Sequence, residues 1–468
     1  MAVSVDVHLL SGKRVSLETP EDATVAELNQ SAQNALAVGR GRLLSADGHV
    51  LDASQTVKRA RIRNGDELYM RVQLPEVTAW RKRSGRTFAT VLGDGSVETW
   101  SSAKDHGDDS SVKAQPKGVQ HIQASSSAFA AILGDGSVVT WGDRGSGGDS
   151  SPVQAQLKGV QHIQASFSAF AAILGDGSVV TWGDHYSGGD SSRVQGQLTG
   201  VQHIQASFSA FAAILGDGSV VTWGDLDSGG DSSLAQGQLT GIQHIQASFS
   251  AFAAILGDGS VVTWGDHYSG GDSRSVQSQL KGVQHIQASK GAFAAILRDG
   301  SVVTWGGRGF GGDSSSVQAQ LKGAQHIQAS DHAFAAILGD GSVVTWGDPA
   351  AGGDSSSVQS QLKGVQHIQA SSSAFAAILG DGSVVTWGDR DSGGDSSPVQ
   401  AQLKGVQHIQ ASFSAFAAIL GDGSVVTWGD HLSGGRSVQG QLKGVQHIQA
   451  SFPAFAAILY DGSVVYFR

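Results

Sequence analysis

The sequence predicts a mainly β protein in which a small α+β unit precedes a long array of β-hairpin repeats. Trp recurs every 41 residues, at positions 100, 141, 182, 223, 264, 305, 346, 387 and 428. Each Trp closes a near copy of one stretch, which reads AFAAILGDGSVVTWG at residues 128–142. Residues 1–73 lack this repeat. We therefore expect two domains, at residues 1–73 and 77–468.

Each repeat is predicted to contain a β-hairpin. Asp135-Gly136 is a two-residue turn signal, and we expect a type I′ turn with positive φ at both positions. The arms are strand A, Phe129 to Leu133, and strand B, Val138 to Trp141. Strand A is apolar on both of its alternating faces, which is typical of a strand buried on both sides. A small sheet packed between its own copies indicates a propeller blade or a stacked solenoid.

Two more strands complete the predicted repeat, strand C at 153–157 and strand D at 160–166. The first copy is degenerate, and in a tenth copy Phe467 takes the Trp position. Atypical ends are normal for repeat arrays. No linker interrupts the array, so we expect one β-propeller of nine or ten short blades. An open superhelical β-array is the alternative.

The N-terminal residues predict a ββαββ order. A capping box of Thr24 and Glu27 begins a helix that ends near Leu36. Strands are expected at 3–9, 14–17, 42–45 and 67–72. This order, with LLSGK at 9–13, GRLL at 41–44, ADG at 46–48, VLD at 50–52 and ELYMRV at 67–72, resembles a ubiquitin-like domain.

That resemblance implies an apolar receptor-binding patch at Leu10, Leu44 and Tyr69. Arg71 stands where the family has an aliphatic residue, and Gln73-Leu74-Pro75 replaces the di-glycine tail used for conjugation. An integral, non-conjugated domain is therefore expected. The alternative is a β-grasp unit that only caps the array.

The repeat, with its Asp-Gly turn and closing Trp-Gly, resembles that of the regulator of chromosome condensation family, which forms β-propellers. The resemblance implies the fold and leaves the activity open. The family includes nucleotide exchange factors, ubiquitin-ligase modules and inhibitors, and function lies in sites placed on a fold.

Composition excludes several function classes. The chain has no Cys, which excludes a thioester-forming ligase, a Cys protease and a Cys-based zinc module. The net charge is −10, and residues 1–73 are balanced, so the array is acidic and unsuited to nucleic acid. No apolar run of 18 residues and no leader sequence is present, so we expect no membrane partner and a cytoplasmic or nuclear location.

We expect no catalytic residue, no cofactor and no metal, because no nucleotide-binding, hydrolase or metalloprotease motif occurs. His recurs within Gln-His-Ile-Gln, for example at His162, and we interpret it as structural. The acidic loops lack the spacing of a calcium-binding loop. The repeated Trp are expected in the core.

The candidate binding residues lie where the copies differ, in the B–C and D–A loops. In an up-and-down blade these loops share one face, and aromatic and Arg side chains are enriched at interfaces. We predict a protein-binding face, with neutral drift of solvent loops as the alternative. Its residues are Phe167, His185, Tyr186, Phe208, Phe249, His267, Tyr268, Arg308, Phe310, Arg390, Phe413 and His431.

The leading expectation is a non-enzymatic interaction scaffold that links a protein partner to the ubiquitin–proteasome system. Two alternatives remain, a regulatory module of a ubiquitin ligase and a guanine nucleotide exchange factor for a small GTPase.

Overall fold

The described part of the chain forms one four-stranded sheet followed by ten three-stranded sheets. The computed structural model describes residues 2–9, 13–36, 41–72, 76–82, 85–91, 95–101, 116, 118–435, 442–451, 454–460 and 463–467. Leu10, the linker at 73–75 and Phe452 lie outside these residues.

The N-terminal unit is a β-grasp. Its elements are β1 (Ala2–His8), β2 (Arg14–Pro20), α1 (Val25–Leu36), β3 (Gly41–Leu44) and β4 (Asp66–Val72), with sheet order β2-β1-β4-β3. Strands β1 and β4 are parallel. The capping box is confirmed, because the Thr24 N–H donates to Glu27 Oε2 and the Glu27 N–H donates to Thr24 Oγ1. The buried face of α1 completes the core of this unit.

Each array sheet, which we call a repeat and number 1 to 10, has strands in the order D, A, B. The D strands are β5 (Glu76–Lys82), β8 (Val119–Ala124), β11 (Val160–Ala165), β14 (Val201–Ala206), β17 (Ile242–Ala247), β20 (Val283–Ala288), β23 (Ala324–Ala329), β26 (Val365–Ala370), β29 (Val406–Ala411) and β32 (Val445–Ser451). The A strands are β6 (Gly85–Val91), β9 (Ala128–Leu133), β12 (Ala169–Leu174), β15 (Ala210–Leu215), β18 (Ala251–Leu256), β21 (Ala292–Leu297), β24 (Ala333–Leu338), β27 (Ala374–Leu379), β30 (Ala415–Leu420) and β33 (Ala454–Leu459). The B strands are β7 (Val97–Ser101), β10 (Val138–Gly142), β13 (Val179–Gly183), β16 (Val220–Gly224), β19 (Val261–Gly265), β22 (Val302–Gly306), β25 (Val343–Gly347), β28 (Val384–Gly388), β31 (Val425–Gly429) and β34 (Val464–Phe467).

The predicted strand C is wrong. Residues 151–156 form successive tight turns, in which the Val153 N–H donates to Ser150 O and the Gln156 N–H donates to Val153 O. The side chain of Gln154 instead reaches the edge of the sheet, where its Nε2 donates to Val138 O at 2.9 Å. Leu157 is buried against the next repeat. A turn segment anchored by one Leu and one Gln therefore replaces the fourth strand.

The A–B turn also differs from the predicted type I′ turn. The Leu133 N–H donates to Ser137 O, so the loop contains three residues, Gly134 to Gly136. Gly136 has φ +77°, whereas Asp135 is not among the residues with positive φ. Asp135 Oδ1 accepts hydrogen bonds from the Ser137 N–H and hydroxyl. The geometry is that of a three-residue hairpin loop with Gly in the left-handed position.

The hydrophobic core lies between successive sheets. Ala130 and Ile132 of repeat 2 pack against Ile163, Phe170 and Trp182 of repeat 3, and the same arrangement recurs along the array. The repeated Trp whose side chains the structure describes, from Trp141 to Trp428, are core residues, as predicted. Trp182 Nε1 donates to Gly147 O of the preceding repeat at 3.0 Å, which joins neighbouring repeats by a hydrogen bond as well as by packing.

The array returns on itself. Every D strand contacts the D strands on both sides, and β5 of repeat 1 contacts both β8 and the last D strand, β32. Ala456 and Ile458, on the face of repeat 10 that is turned away from repeat 9, are fully buried. Thr90 Oγ1 of repeat 1 and Tyr466 OH of repeat 10 form a hydrogen bond. The ten repeats thus form a ring of the propeller type, with D strands around its centre.

Candidate functional site

The B–C and D–A loops lie at the same end of each sheet. The Asp143 N–H of one B–C loop donates to Ser127 O of the D–A loop, and Ser125 Oγ donates to Ser146 O. We call this surface the loop face. At the other end, the Val160 N–H donates to Gly136 O, which brings the A–B and C–D turns together as the turn face. Residues 151–158 cross from one face to the other without forming a strand.

Backbone hydrogen bonds join the D–A loops around the centre of the loop face. The Ser126 N–H donates to Phe167 O at 2.7 Å, and the Phe167 N–H donates to Phe208 O at 2.8 Å. The same bond continues through Phe249, Lys290, Asp331 and Ser372 to Phe413. Only main-chain atoms take part. The ladder therefore holds one side chain of each repeat from 2 to 9 at an equivalent place, whatever that side chain is.

Three Phe of this ladder form a continuous stack. The ring centroids of Phe167 and Phe208 lie 4.3 Å apart, and those of Phe208 and Phe249 lie 4.1 Å apart. Phe167 and Phe249 remain 43% exposed. Repeats 3, 4 and 5 thus place a half-buried aromatic strip at the centre of the loop face.

The following repeats carry charge at the same position. Lys290 Nζ lies 2.6 Å from Asp331 Oδ2 and 6.0 Å from the centre of the Phe413 ring, which belongs to repeat 9. Phe310 is not displayed like the other Phe, since it stacks on His332 at 4.8 Å and packs against the core. The centre of the face therefore has an aromatic segment in repeats 3 to 5 and a charged pair in repeats 6 and 7.

Five of the described B–C loops contain a recurring pair of a basic residue and an Asp. A basic residue at the start of the loop lies 3.1–3.2 Å from an Asp five residues later. The pairs are Arg144 with Asp149, His185 with Asp190, His267 with Asp272, Arg308 with Asp313 and Arg390 with Asp395. In repeat 5, Arg274 also binds Asp272 through two nitrogens and lowers the pKa of that carboxyl to about 2. Four predicted site residues thus lie in this recurring pair, and a fifth, His431, lies 3.6 Å from the adjacent Asp430.

Among the B–C loops that the structure describes, those of two repeats lack the basic member of this pair. Leu226 stands in its place in repeat 4, and Pro349 in repeat 7. Leu226 is exposed, and Leu234 in the same loop segment is fully exposed. Tyr186 and Tyr268, in the loops on either side, are each 77% exposed. Apolar side chains therefore extend outward from the Phe stack through repeats 3 to 5.

The loop face is acidic, whereas the turn face is nearly balanced. The B–C loops and the ladder hold Asp143, Asp149, Asp184, Asp190, Asp225, Asp227, Asp231, Asp266, Asp272, Asp313, Asp331, Asp348, Asp354, Asp389, Asp391, Asp395 and Asp430, against Arg144, Arg193, Arg274, Lys290, Arg308 and Arg390. The turns hold Asp135, Asp176, Asp217, Asp258, Asp299, Asp340, Asp381 and Asp422, against Lys158, Lys281, Arg298, Lys322, Lys363, Lys404 and Lys443. The acidity of the array thus lies on the face with the aromatic stack.

The recurring His form a second ladder, on the D strands at the centre of the ring. The ring centroids of His121 and His162 lie 6.3 Å apart, and those of His408 and His447 lie 6.1 Å apart. Burial, and next the neighbouring His, lowers the pKa of His162, His244, His326 and His408. Within the described ranges, no three His, Asp or Glu side chains converge as metal ligands.

The predicted patch of the β-grasp unit is placed in part. Leu44 and Tyr69 are paired in register on neighbouring strands, and His8 pairs with Tyr69 from the other side. The rings of His8 and Tyr69 lie 5.5 Å apart, and Tyr69 is exposed. Leu10 lies outside the described residues.

Sequence reasoning found the variable positions but missed how they are held. No residue type marks the backbone ladder, because only main-chain atoms form it. The 41-residue spacing of its positions did follow from the Trp spacing. The ion pairs could have been found, because a basic residue and an Asp recur five positions apart in five copies. His431 and the exposed Leu432 lie in the loop of repeat 9, whose residues 436–441 are outside the described part.

Comparison with known proteins adds little about function. No family model and no curated protein matches the sequence. Among solved structures, Prp20p from Saccharomyces cerevisiae, described as binding Gsp1p and histones, is 12% identical, with 60% of this chain and 82% of that chain covered and a TM-score of 0.34. The ectodomain of the receptor kinase CR4 from Physcomitrella patens is 15% identical, with 59% and 75% covered and a TM-score of 0.33.

The N-terminal unit is similar to the ubiquitin of Caldiarchaeum subterraneum. The identity is 18%, 15% of this chain and 91% of that chain are covered, and the TM-score is 0.14. Within the described part of the chain, no helix is long and apolar enough to cross a membrane. The sheets and contacts of this chain itself show a β-grasp unit followed by a ring of β repeats.

Proposed function

We propose that this protein is a non-enzymatic interaction scaffold whose loop face binds a protein partner. One observation carries the proposal, the half-exposed stack of Phe167, Phe208 and Phe249 on a rigid backbone ladder. Stacked aromatic rings held in place lose little conformational freedom on binding, which favours their use as anchors. The resemblance to the regulator of chromosome condensation repeat belongs to this proposal, since propellers of that family also bind partners.

The test replaces the exposed aromatics and compares the captured proteins. In Phe167→Ser/Phe249→Ser, the anchor is lost while the ladder bonds, which use only the backbone, remain. Tyr460→Ser is the matched control, because Tyr460 is exposed and follows strand A at the turn face. Cross-linked affinity capture from cells of the source organism, read by quantitative mass spectrometry, is expected to lose its partner at least tenfold with the double variant only. Equal capture by the double variant and the unmodified chain would refute the proposal.

We propose in addition that the β-grasp unit links the bound partner to the ubiquitin–proteasome system. Leu44 and Tyr69 lie side by side on the sheet of the β-grasp unit, as a receptor-binding patch requires. In the full chain, Leu44→Ser/Tyr69→Ser is expected to release ubiquitin-receptor or proteasome proteins while the loop-face partner stays bound. Capture of the same receptors by both forms would leave the unit a structural cap. The ligase-module and exchange-factor alternatives stay predictions, and a nucleotide-release assay with small GTPases tests the latter.

A further inference from the structure

In the B–C loop of repeat 4, as in that of repeat 7, a carboxylate lacks the partner that it has in the other described loops, and only in repeat 4 is the basic residue replaced by an exposed Leu. In repeats 2, 3, 5, 6 and 8 this Asp pairs with a basic residue five positions earlier. In repeat 4 the Asp is Asp231, and Leu226 occupies the basic position. Asp231 accepts a hydrogen bond from the Ser233 N–H at 2.8 Å. Among the described residues, no Lys, Arg or His pairs with Asp231 or with the nearby Asp227.

A cavity of about 730 Å³ opens at this place, between the loop segments of repeats 4 and 5. Leu226, Leu234, Asp227 and Asp231 line one side, and His267 and Arg274 line the other. Both basic groups of the far side already pair with Asp272. The size is that of pockets that accept a ligand or several peptide side chains.

The exposed Leu side chains offer an apolar surface to a ligand, and the charge around them favours one kind of ligand. The loop face carries far more Asp than basic residues, and most of its basic residues are used within the loops. An acidic face attracts basic partners and disfavours acidic ones. A cation that enters beside Leu226 would make with Asp231 the pair that the other loops make internally.

We propose that the cavity between repeats 4 and 5 binds a segment of a protein partner that carries an Arg or Lys next to a bulky aliphatic or aromatic residue. The basic side chain pairs with Asp231 and Asp227, and the apolar residue covers Leu226 and Leu234. This inference rests on the proposed function and deepens it, since it names the chemistry that the partner offers to one sector of the loop face.

The test restores the missing basic residue within the chain. Leu226→Arg places in repeat 4 the residue that Arg308 supplies in repeat 6, so the loop is expected to fold as its copies do. Pro349→Arg makes the same change in repeat 7 and is the matched control. The probe is a phage-displayed library of random twelve-residue peptides, selected on the full-length protein, with the selected peptides then synthesised with a fluorescent label.

We expect the selected peptides to combine Arg or Lys with Leu, Phe or Tyr. Their affinity, measured by fluorescence anisotropy, is expected to fall at least tenfold for Leu226→Arg and for Asp227→Asn/Asp231→Asn, and to change less than twofold for Pro349→Arg. Selection of acidic or uncharged peptides, equal binding to Leu226→Arg, or the absence of any enriched peptide would overturn the inference.

The two proposals fail separately. Suppose that Phe167→Ser/Phe249→Ser loses the captured partner while Leu226→Arg still binds the peptides with unchanged affinity. The loop face then binds its partner, but the cavity does not bind a basic residue. If both variants behave like the unmodified chain, the proposed function itself fails.

Discussion

At the scale of single residues, neighbouring repeats fit so closely that Gly188 has no room for a side chain. Its φ is +91°, and a Cβ atom there would lie 2.6 Å from Cδ2 of Phe211 in the next repeat. Phe211 is fully buried. Gly188 thus combines two constraints. Residues with a side chain rarely adopt its backbone conformation, and Phe211 leaves no space for a methyl group.

Gly188→Ala is therefore expected to destabilise the protein by about 1–3 kcal/mol, because it combines overpacking with backbone strain. The measurement is the free energy of unfolding in denaturant, followed by circular dichroism. Gly196→Ala is the control, since nothing lies within 4 Å of a Cβ atom there, and its φ is not positive. Equal stability of the two variants would contradict the packing described at Gly188.

The residue types predicted the hairpin but not its turn. Asp-Gly favours a two-residue loop, yet Leu133 and Ser137 pair across the turn and include Gly134 in the loop. The extra Gly before Asp-Gly was the available signal. At the candidate site, the exposed Phe and Tyr were predicted from their variation. The half-buried position of Phe310 was not predicted, because it depends on the stacking of Phe310 on His332 in the next repeat.

At the scale of elements, the segment between two sheets shows why period-two alternation is ambiguous. Val153, Ala155 and Leu157 alternate with Gln as in a strand. The same spacing also places Val153 and Leu157 four residues apart, where both reach the core from a chain of turns. Gln154 then occupies the free edge of strand B, which no sequence pattern indicates. Whether this segment forms a strand or a chain of turns depends on the contact of Gln154 with strand B. An uncovered edge strand leaves backbone groups unpaired, and Gln154 satisfies one of them.

The His ladder predicts a stability that depends on pH near neutrality. His162, His244, His326 and His408 have pKa values below the usual 6.5 in the folded protein. As pH falls below about 6.5, the unfolded chain binds protons before the folded one does. The charged groups that act on each of these rings are the His of the adjacent repeats. Because they would carry the same charge, they oppose its protonation further. The free energy of unfolding is thus expected to be constant above 6.5 and to decrease as pH falls through the lowered pKa values.

Denaturant unfolding at pH 7.5, 6.5 and 5.5 measures this effect. Replacing all four His by Gln is expected to reduce the change between pH 7.5 and 5.5, whereas His49→Gln, which alters an exposed His of the β-grasp unit, is expected to leave it unchanged. This window lies above the range in which the Asp carboxyls titrate. The same pH dependence in all three proteins would show that the ladder does not titrate as described.

At the scale of the whole molecule, closure of the ring joins residues that are 376 positions apart in the chain. Thr90 is fully buried, and its Oγ1 shares a hydrogen bond with Tyr466 OH. The contact joins repeat 1 to repeat 10, whose copies differ most from the common sequence. A closed ring was expected because no linker interrupts the array, with an open superhelical array as the alternative. The residues that close the ring could not be predicted, because no other copy has Thr at the position of Thr90 or Tyr at that of Tyr466.

A double-mutant cycle of Tyr466→Phe and Thr90→Val tests closure. A net hydrogen bond is worth about 0.5–1.5 kcal/mol, and we expect a coupling energy of about that size. Hydrogen exchange should increase in β6 when only Tyr466 is changed, while β18 on the far side keeps its protection. Zero coupling, with β6 unaffected, would indicate an open array.

The backbone ladder of the loop face has a consequence for how this protein can evolve. Ser, Phe, Lys and Asp occupy its positions in different repeats while the main-chain bonds stay the same. A substitution there changes the side chain that the loop presents without changing the main-chain bonds that hold the loop in place. Under the proposed function, new binding specificities at the centre of the loop face would therefore arise by single substitutions, or by exchange of whole repeats through recombination.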